Sequence, residues 1–247
     1  MKMFTKIASA IATFMLILGL VCVGAAFAMG LTWGEFVDMV EEGKFSIKFG
    51  DSSNSSSNAE AQFDAECERM EIEVGAGSLE IFYDDVDQIQ VEQNGAKGYK
   101  AYMDGKTLHI EGGSSVGINQ EGMSINVILP RSMKLKEVEL ELGAGEADIE
   151  ELCVEKVSIE VGAGQATFIG LDVQELQAEV GVGQLYIELV GKESDFNLSM
   201  ECGIGEIQIG DSSYGGFGNE QVKEYPGVSK KLDLECGLGQ IQIDFTE

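Results

Sequence analysis

The sequence predicts an all-β, repeat-built β-solenoid of the single-stranded β-helix kind, preceded by an N-terminal transmembrane helix. Three observations carry this. An apolar segment with two glycines recurs six times along the chain. Apolar residues within each segment alternate with period two, as on a strand. An uncharged, strongly apolar run occupies Ile7 to Met29, just after Lys2 and Lys6.

The apolar run comes first in the chain. At 1.5 Å per residue it spans about 34 Å, enough for a hydrocarbon core of about 30 Å. Lysines precede it, and Glu35, Asp38, Glu41 and Glu42 follow it. That asymmetry places the N-terminus in the cytoplasm and the remainder outside. A cleaved signal peptide is the rival reading, because Ala26-Phe-Ala28 fits a small-x-small cleavage pattern. The run exceeds the usual signal core of about 7–15 residues, which favours a retained anchor over residues 1–30. Val21 before Cys22 lacks the small residue that a lipoprotein signal needs.

Residues 31–62 read as a juxtamembrane helix and a linker. Thr32 and Glu35 have capping-box spacing, and Trp33, Phe36, Val37 and Val40 recur at helical spacing. Lys44 to Phe49 alternates as a short strand would, and the Ser/Asn-rich stretch 51–58 reads as a solvated linker.

Residues 63–247 hold the repeat. Its units are Ile72-Glu-Val-Gly-Ala-Gly-Ser-Leu79, Leu140-Glu-Leu-Gly-Ala-Gly-Glu-Ala147, Ile159-Glu-Val-Gly-Ala-Gly-Gln-Ala166, Ala178-Glu-Val-Gly-Val-Gly-Gln-Leu185, Met200-Glu-Cys-Gly-Ile-Gly-Glu-Ile207 and Leu234-Glu-Cys-Gly-Leu-Gly-Gln-Ile241. Their first glycines lie 68, 19, 19, 22 and 34 residues apart, so the longer steps contain insertions. Ile72, Val74 and Ala76 share one phase; beyond the second glycine the phase slips to Leu79 and Ile81. A slip in period two marks a corner, which glycine permits through positive φ. Each unit is then strand, glycine corner, strand, and it buries its apolar face only by stacking on neighbours about 4.8 Å away. A β-sandwich of short strands is the weaker alternative, since it gives no reason for Glu at one fixed repeat position.

Ile125-Asn-Val-Ile-Leu-Pro130, Glu137-Val-Glu-Leu-Glu-Leu-Gly-Ala-Gly145 and Lys231-Leu-Asp-Leu-Glu-Cys-Gly-Leu-Gly-Gln-Ile-Gln-Ile243 carry a further likeness. They resemble the DUF4097 adhesin-like family of Gram-positive bacteria, related to the toast-rack domains found beside envelope-stress proteins. The resemblance covers about residues 65 to 247. It implies a β-solenoid on the outside of a membrane and brings no functional residues with it.

Charge narrows the function. Lys and Arg number 16 against 43 Asp and Glu, and every acid lies beyond residue 30. Such a surface repels phosphates, which excludes nucleic acid as a partner and leaves the membrane reachable only through the apolar run. The expected partners are an envelope or surface ligand or protein.

No catalytic, cofactor-binding or metal-ligating residue is assigned. The glycine motif lacks the third glycine and following helix of a dinucleotide fingerprint. A calcium-binding nonapeptide repeat needs Asp two residues after the second glycine, where Leu79, Ala147, Ala166, Leu185, Ile207 and Ile241 stand instead. Glu73, Glu141, Glu160, Glu179, Glu201 and Glu235 occupy one outward repeat position. Stacked, they form a carboxylate ladder: a solvated face, or else a surface for divalent cations or a cationic polymer. Cys202 and Cys236 share a core position. Adjacent coils would bring their sulfurs within bridging reach, while a core role keeps them as free thiols. The single histidine, His109, lies on an alternating strand facing solvent. Tyr214, Phe217 and Tyr225 sit in a glycine-rich insertion, Gly210 to Lys230, that either binds a ligand or caps the core.

Overall fold

The computed structural model describes residues 59–95, 99–112, 123–215 and 218–246. Every described residue belongs to one compact unit. The apolar run, the juxtamembrane helix and the Ser/Asn-rich linker therefore lie outside the described residues. Among those described, no helix is long and apolar enough to cross a membrane.

The described residues form seventeen strands. In chain order they are β1 (Ala59–Phe63), β2 (Arg69–Asp84), β3 (Ile89–Asn94), β4 (Lys100–Asp104), β5 (Thr107–Gly112), β6 (Ser124–Pro130), β7 (Leu135–Glu150), β8 (Val154–Val161) and β9 (Gln165–Leu171). The second half holds β10 (Glu175–Val180), β11 (Gln184–Val190), β12 (Phe196–Cys202), β13 (Glu206–Ile209), β14 (Ser212–Gly215), β15 (Asn219–Lys223), β16 (Lys230–Cys236) and β17 (Gln240–Thr246).

The strands assemble into L-shaped rungs, each a first strand, a corner and a second strand. In β2 and β7 the strand runs through the corner unbroken; elsewhere the corner separates two strands. First strands pair in parallel with first strands, and second with second. The spatial order of rungs is β5/β6, β2, β7, β8/β9, β10/β11, β16/β17, β12/β13. That makes seven rungs, one more than the six glycine motifs. Period-two alternation points Ile72, Val74, Leu79 and Ile81 and their equivalents inward, where they form one buried core.

The chain does not stack its rungs in sequence order, as a simple solenoid would. At one end the second rung in sequence lies outside the first. At the other the C-terminal rung slots between β10/β11 and β12/β13. Antiparallel strands cap both ends: β4 on β5 and β3 with β1 on β6 at one, β15 on β12 and β14 on β13 at the other. The insertion after Gly210 is thus a pair of capping strands, with Tyr214 packed against the core. The crossover from β15 back to β16 is held by Asn197, whose Nδ2 donates to Val228 O (2.9 Å) and whose Oδ1 accepts from Tyr225 N (2.8 Å).

Two expectations about the corner are corrected. The middle residue of the motif does not share the inward face of Ile72 and Val74. It turns outward, leaving Val182 63%, Leu238 58% and Ile204 52% exposed. The phase slip therefore falls at the first glycine. Nor do Gly162 and Gly181 need positive φ. Among the motif glycines only Gly77 (φ 141°) and Gly145 (φ 156°) adopt it. Close stacking explains the others: a Cβ on Gly162 would lie 2.8 Å from Gly143 O, and one on Gly181 would lie 2.9 Å from Gly162 O. Backbones of successive corners approach too closely for any side chain between them.

Candidate functional site: the outward face of the first strands

Register turns the repeated glutamate into one line. Glu111 pairs beside Glu73, then come Glu141, Glu160, Glu179, Glu235, Glu201 and Glu220 in spatial order. Two of these, Glu111 and Glu220, lie outside the glycine motifs. The first belongs to the rung that sequence reasoning missed. A signal for that rung exists: Ile110-Glu-Gly112 repeats the apolar-Glu start, but glycine replaces the core valine. A Cβ on Gly112 would lie 2.6 Å from Met123 Cε, so the methionine fills the space a valine side chain occupies elsewhere.

Carboxylates on adjacent strands repel by roughly 1 kcal/mol per pair in water. The line shows the strain. Partial burial pushes the Glu141 and Glu235 carboxyls up, and neighbouring glutamates push them further: Glu160 and Glu73 for the first, Glu179 and Glu201 for the second. At one end the line is neutralised. Lys100, in register with Glu111, donates to its Oε2 (2.9 Å), and Tyr102 Oη donates to its Oε1 (3.2 Å), which hold that carboxyl below the usual range.

The column four residues earlier on the same strands is built differently. Arg69, Glu137, Lys156, Glu175 and Lys231 stand in register with alternating sign, and Lys156 Nζ lies 3.1 Å from Glu137 Oε1. Just beyond it Glu68 binds both Lys106 and Lys136, and hydrogen bonds from those ammonium groups hold its carboxyl down to about 2. Between the two columns lies His109. Its Nδ1 is 3.0 Å from Glu71 Oε2, and its ring stacks on Tyr102 with centroids 4.9 Å apart. His109 thus faces outward as expected but is only 21% exposed, held by neighbours on β2 and β4.

Among the described residues no group of three or more His, Cys, Asp or Glu is placed to hold a metal ion. The glutamates run in a line down an open sheet and do not converge on a point. Such a surface acts through its summed field, attracting cations and excluding anions over several rungs.

Cys202 and Cys236 are side by side on β12 and β16, both buried and both free. Burial pushes both thiols up, and the neighbouring Cys236 sulfur pushes Cys202 further.

Residues 156–210, which form β8 to β13, match the family described as the N-terminal domain of toast_rack, DUF2154. No curated protein matches the chain. Among solved structures, a candidate cell adhesion protein from Clostridium sporogenes is similar with a TM-score of 0.55 and 17% identity, over 77% of this chain and 100% of that one. A candidate adhesin from Bacteroides fragilis is similar with a TM-score of 0.30 and 13% identity, over 76% of this chain and 98% of that one. At 17% identity the likeness to the Clostridium protein is one of fold: the described rungs share an all-β architecture with it.

Proposed function

We propose that the chain is a membrane-anchored, extracytoplasmic structural and interaction protein, adhesin-like and without catalysis, that engages its ligand across a rung face. The observation that carries this reading is the in-register stack itself. It makes a long sheet on which one outward column repeats the same side chain, glutamate, from rung to rung. A repeating surface suits recognition of an extended or repetitive ligand, because each rung presents the same contact at the same spacing. The fold likeness to a protein named as a cell adhesion candidate agrees with it. The apolar run Ile7 to Met29 is the proposed anchor, with the N-terminus inside and the rungs outside.

Two measurements test this. Protease added to intact protoplasts digests the rungs and spares the residue-1 end; a protein wholly in the cytosol contradicts the reading. The full chain, immobilised in detergent, retains a component of the cell envelope in a salt-dependent way; recovery of none contradicts it.

A second reading, an accessory of envelope-stress sensing, is favoured by the toast-rack match over residues 156–210. Cross-linking in intact cells separates the two. A membrane signalling protein as the dominant partner supports sensing, and a wall or surface component supports adhesion.

A further inference from the structure

We propose that Cys202 and Cys236 are a disulfide site that fastens the C-terminal rung into the stack. Three observations meet there. The two cysteines are direct neighbours in a parallel, in-register pair of strands. Parallel neighbours stand about 4.8 Å apart, inside the Cα separation of about 4.4–6.8 Å that disulfides span. Both side chains point into the core on the same side of their strands, so their Cβ bonds run alongside each other and do not diverge. The rung they join, β16/β17, is the one that leaves chain order to enter between β10/β11 and β12/β13.

The other rungs show why this pair is not merely core filling. The same column holds Val74, Leu142, Val161 and Val180, so an aliphatic side chain satisfies the position. Cysteine replaces it in the inserted C-terminal rung and in the rung next to it, β12/β13, and in no other described rung.

The chemistry is thiol–disulfide exchange with a small-molecule disulfide such as oxidised glutathione. One cysteine thiolate attacks the glutathione disulfide, forming a mixed disulfide and releasing one glutathione thiolate. The second cysteine then attacks the protein-bound sulfur, closing the Cys202–Cys236 bond and releasing the other. Two electrons pass to glutathione, and the two thiol protons end on the two glutathione molecules. With the two residues 1% and 3% exposed, neither sulfur is open to attack once the rung is seated. Closure therefore accompanies insertion of β16, and the finished bond is shielded from reductants. The site stands on rung geometry and not on the anchoring proposed above.

The test uses the full chain in mild detergent, unfolded in urea and refolded with oxidised glutathione. Mass spectrometry of the digest should show the residue-202 and residue-236 peptides joined, with the mass loss of two hydrogens. Non-reducing melts should shift upward by several degrees, to at most about 15 °C, and chain reduced in urea and refolded with reductant should show no shift. Cys202→Val and Cys236→Val, which place the residue of neighbouring rungs in the same column, should fold with the same β circular dichroism and show no oxidant-dependent shift. The proposal is overturned if the refolded β-structured parent keeps both thiols titratable. A predominant bridge to Cys67 or Cys153, or a bridged chain that melts lower than the reduced one, overturns it too.

Discussion

The glycine column and the glutamate column repeat with the same period on the same rungs, yet they answer to different physics. At the corner, each glycine lies under the next so closely that a Cβ on Gly183 would run into Gly164 O, and one on Gly239 into Gly183 O. Repetition there is a packing requirement. Four residues before the second glycine, repetition is not required. The alternating column of Arg69, Glu137, Lys156, Glu175 and Lys231 shows that the same strands accept opposite charges at the same spacing. An unbroken glutamate line is electrostatically the worse choice for stability, so its uniformity serves solubility or recognition. A repeat in sequence therefore has two meanings, and the register separates them.

The comparison breaks first at the corner. Gly183→Val forces a branched side chain against the Gly164 carbonyl and should cost about 3 kcal/mol or more, read as loss of the cooperative β-sheet melt. A variant that melts like the parent would show that the corners have slack.

Acid should act in the opposite direction. Glu141 and Glu235 have carboxyls raised above their unfolded values. Their contribution is fully present below the ordinary carboxylate range and is lost as pH rises through the raised values. Glu68 and Glu111 are lowered, so what they contribute is present above the ordinary range and lost as pH falls, for Glu68 toward about 2. The melting temperature should then rise from pH 7 to a maximum near about pH 5 and fall below it. A steady decline from neutrality would mean that the paired carboxylates dominate.

A smaller effect tests whether the line can be converted into its neighbour. Glu179→Lys places a cation between Glu160 and Glu235, as Lys156 stands between Glu137 and Glu175. It should stabilise by up to about 1 kcal/mol at low salt and less at high salt. Smaller still, Glu235→Gln removes repulsion without adding attraction and should gain a few tenths of a kcal/mol, about 0.3.

How far the sequence reveals this architecture follows from the same distinction. Corners and inward faces are legible because alternation and glycine spacing are local consequences of strand geometry. The ladder is legible as a position, though not its extension to Glu111 and Glu220, which lack the glycine pair. Rung order is not legible. Every rung presents the same inward column, so any stacking order satisfies the pattern, and the observed order depends on particular contacts such as the Asn197 clamp on the crossover. The middle residue of the motif was misplaced because period-two extrapolation continues through Gly75, where the backbone already turns.

The most direct test takes the two columns on a single rung. Gly162→Val and Glu160→Gln are two residues apart in the same unit, and their melting temperatures should be measured with and without calcium. The account predicts a large drop for Gly162→Val, no loss for Glu160→Gln, and little calcium effect on the parent. A large calcium-dependent rise in the parent that Glu160→Gln removes would contradict it, making the glutamate line a cation site that the fold depends on.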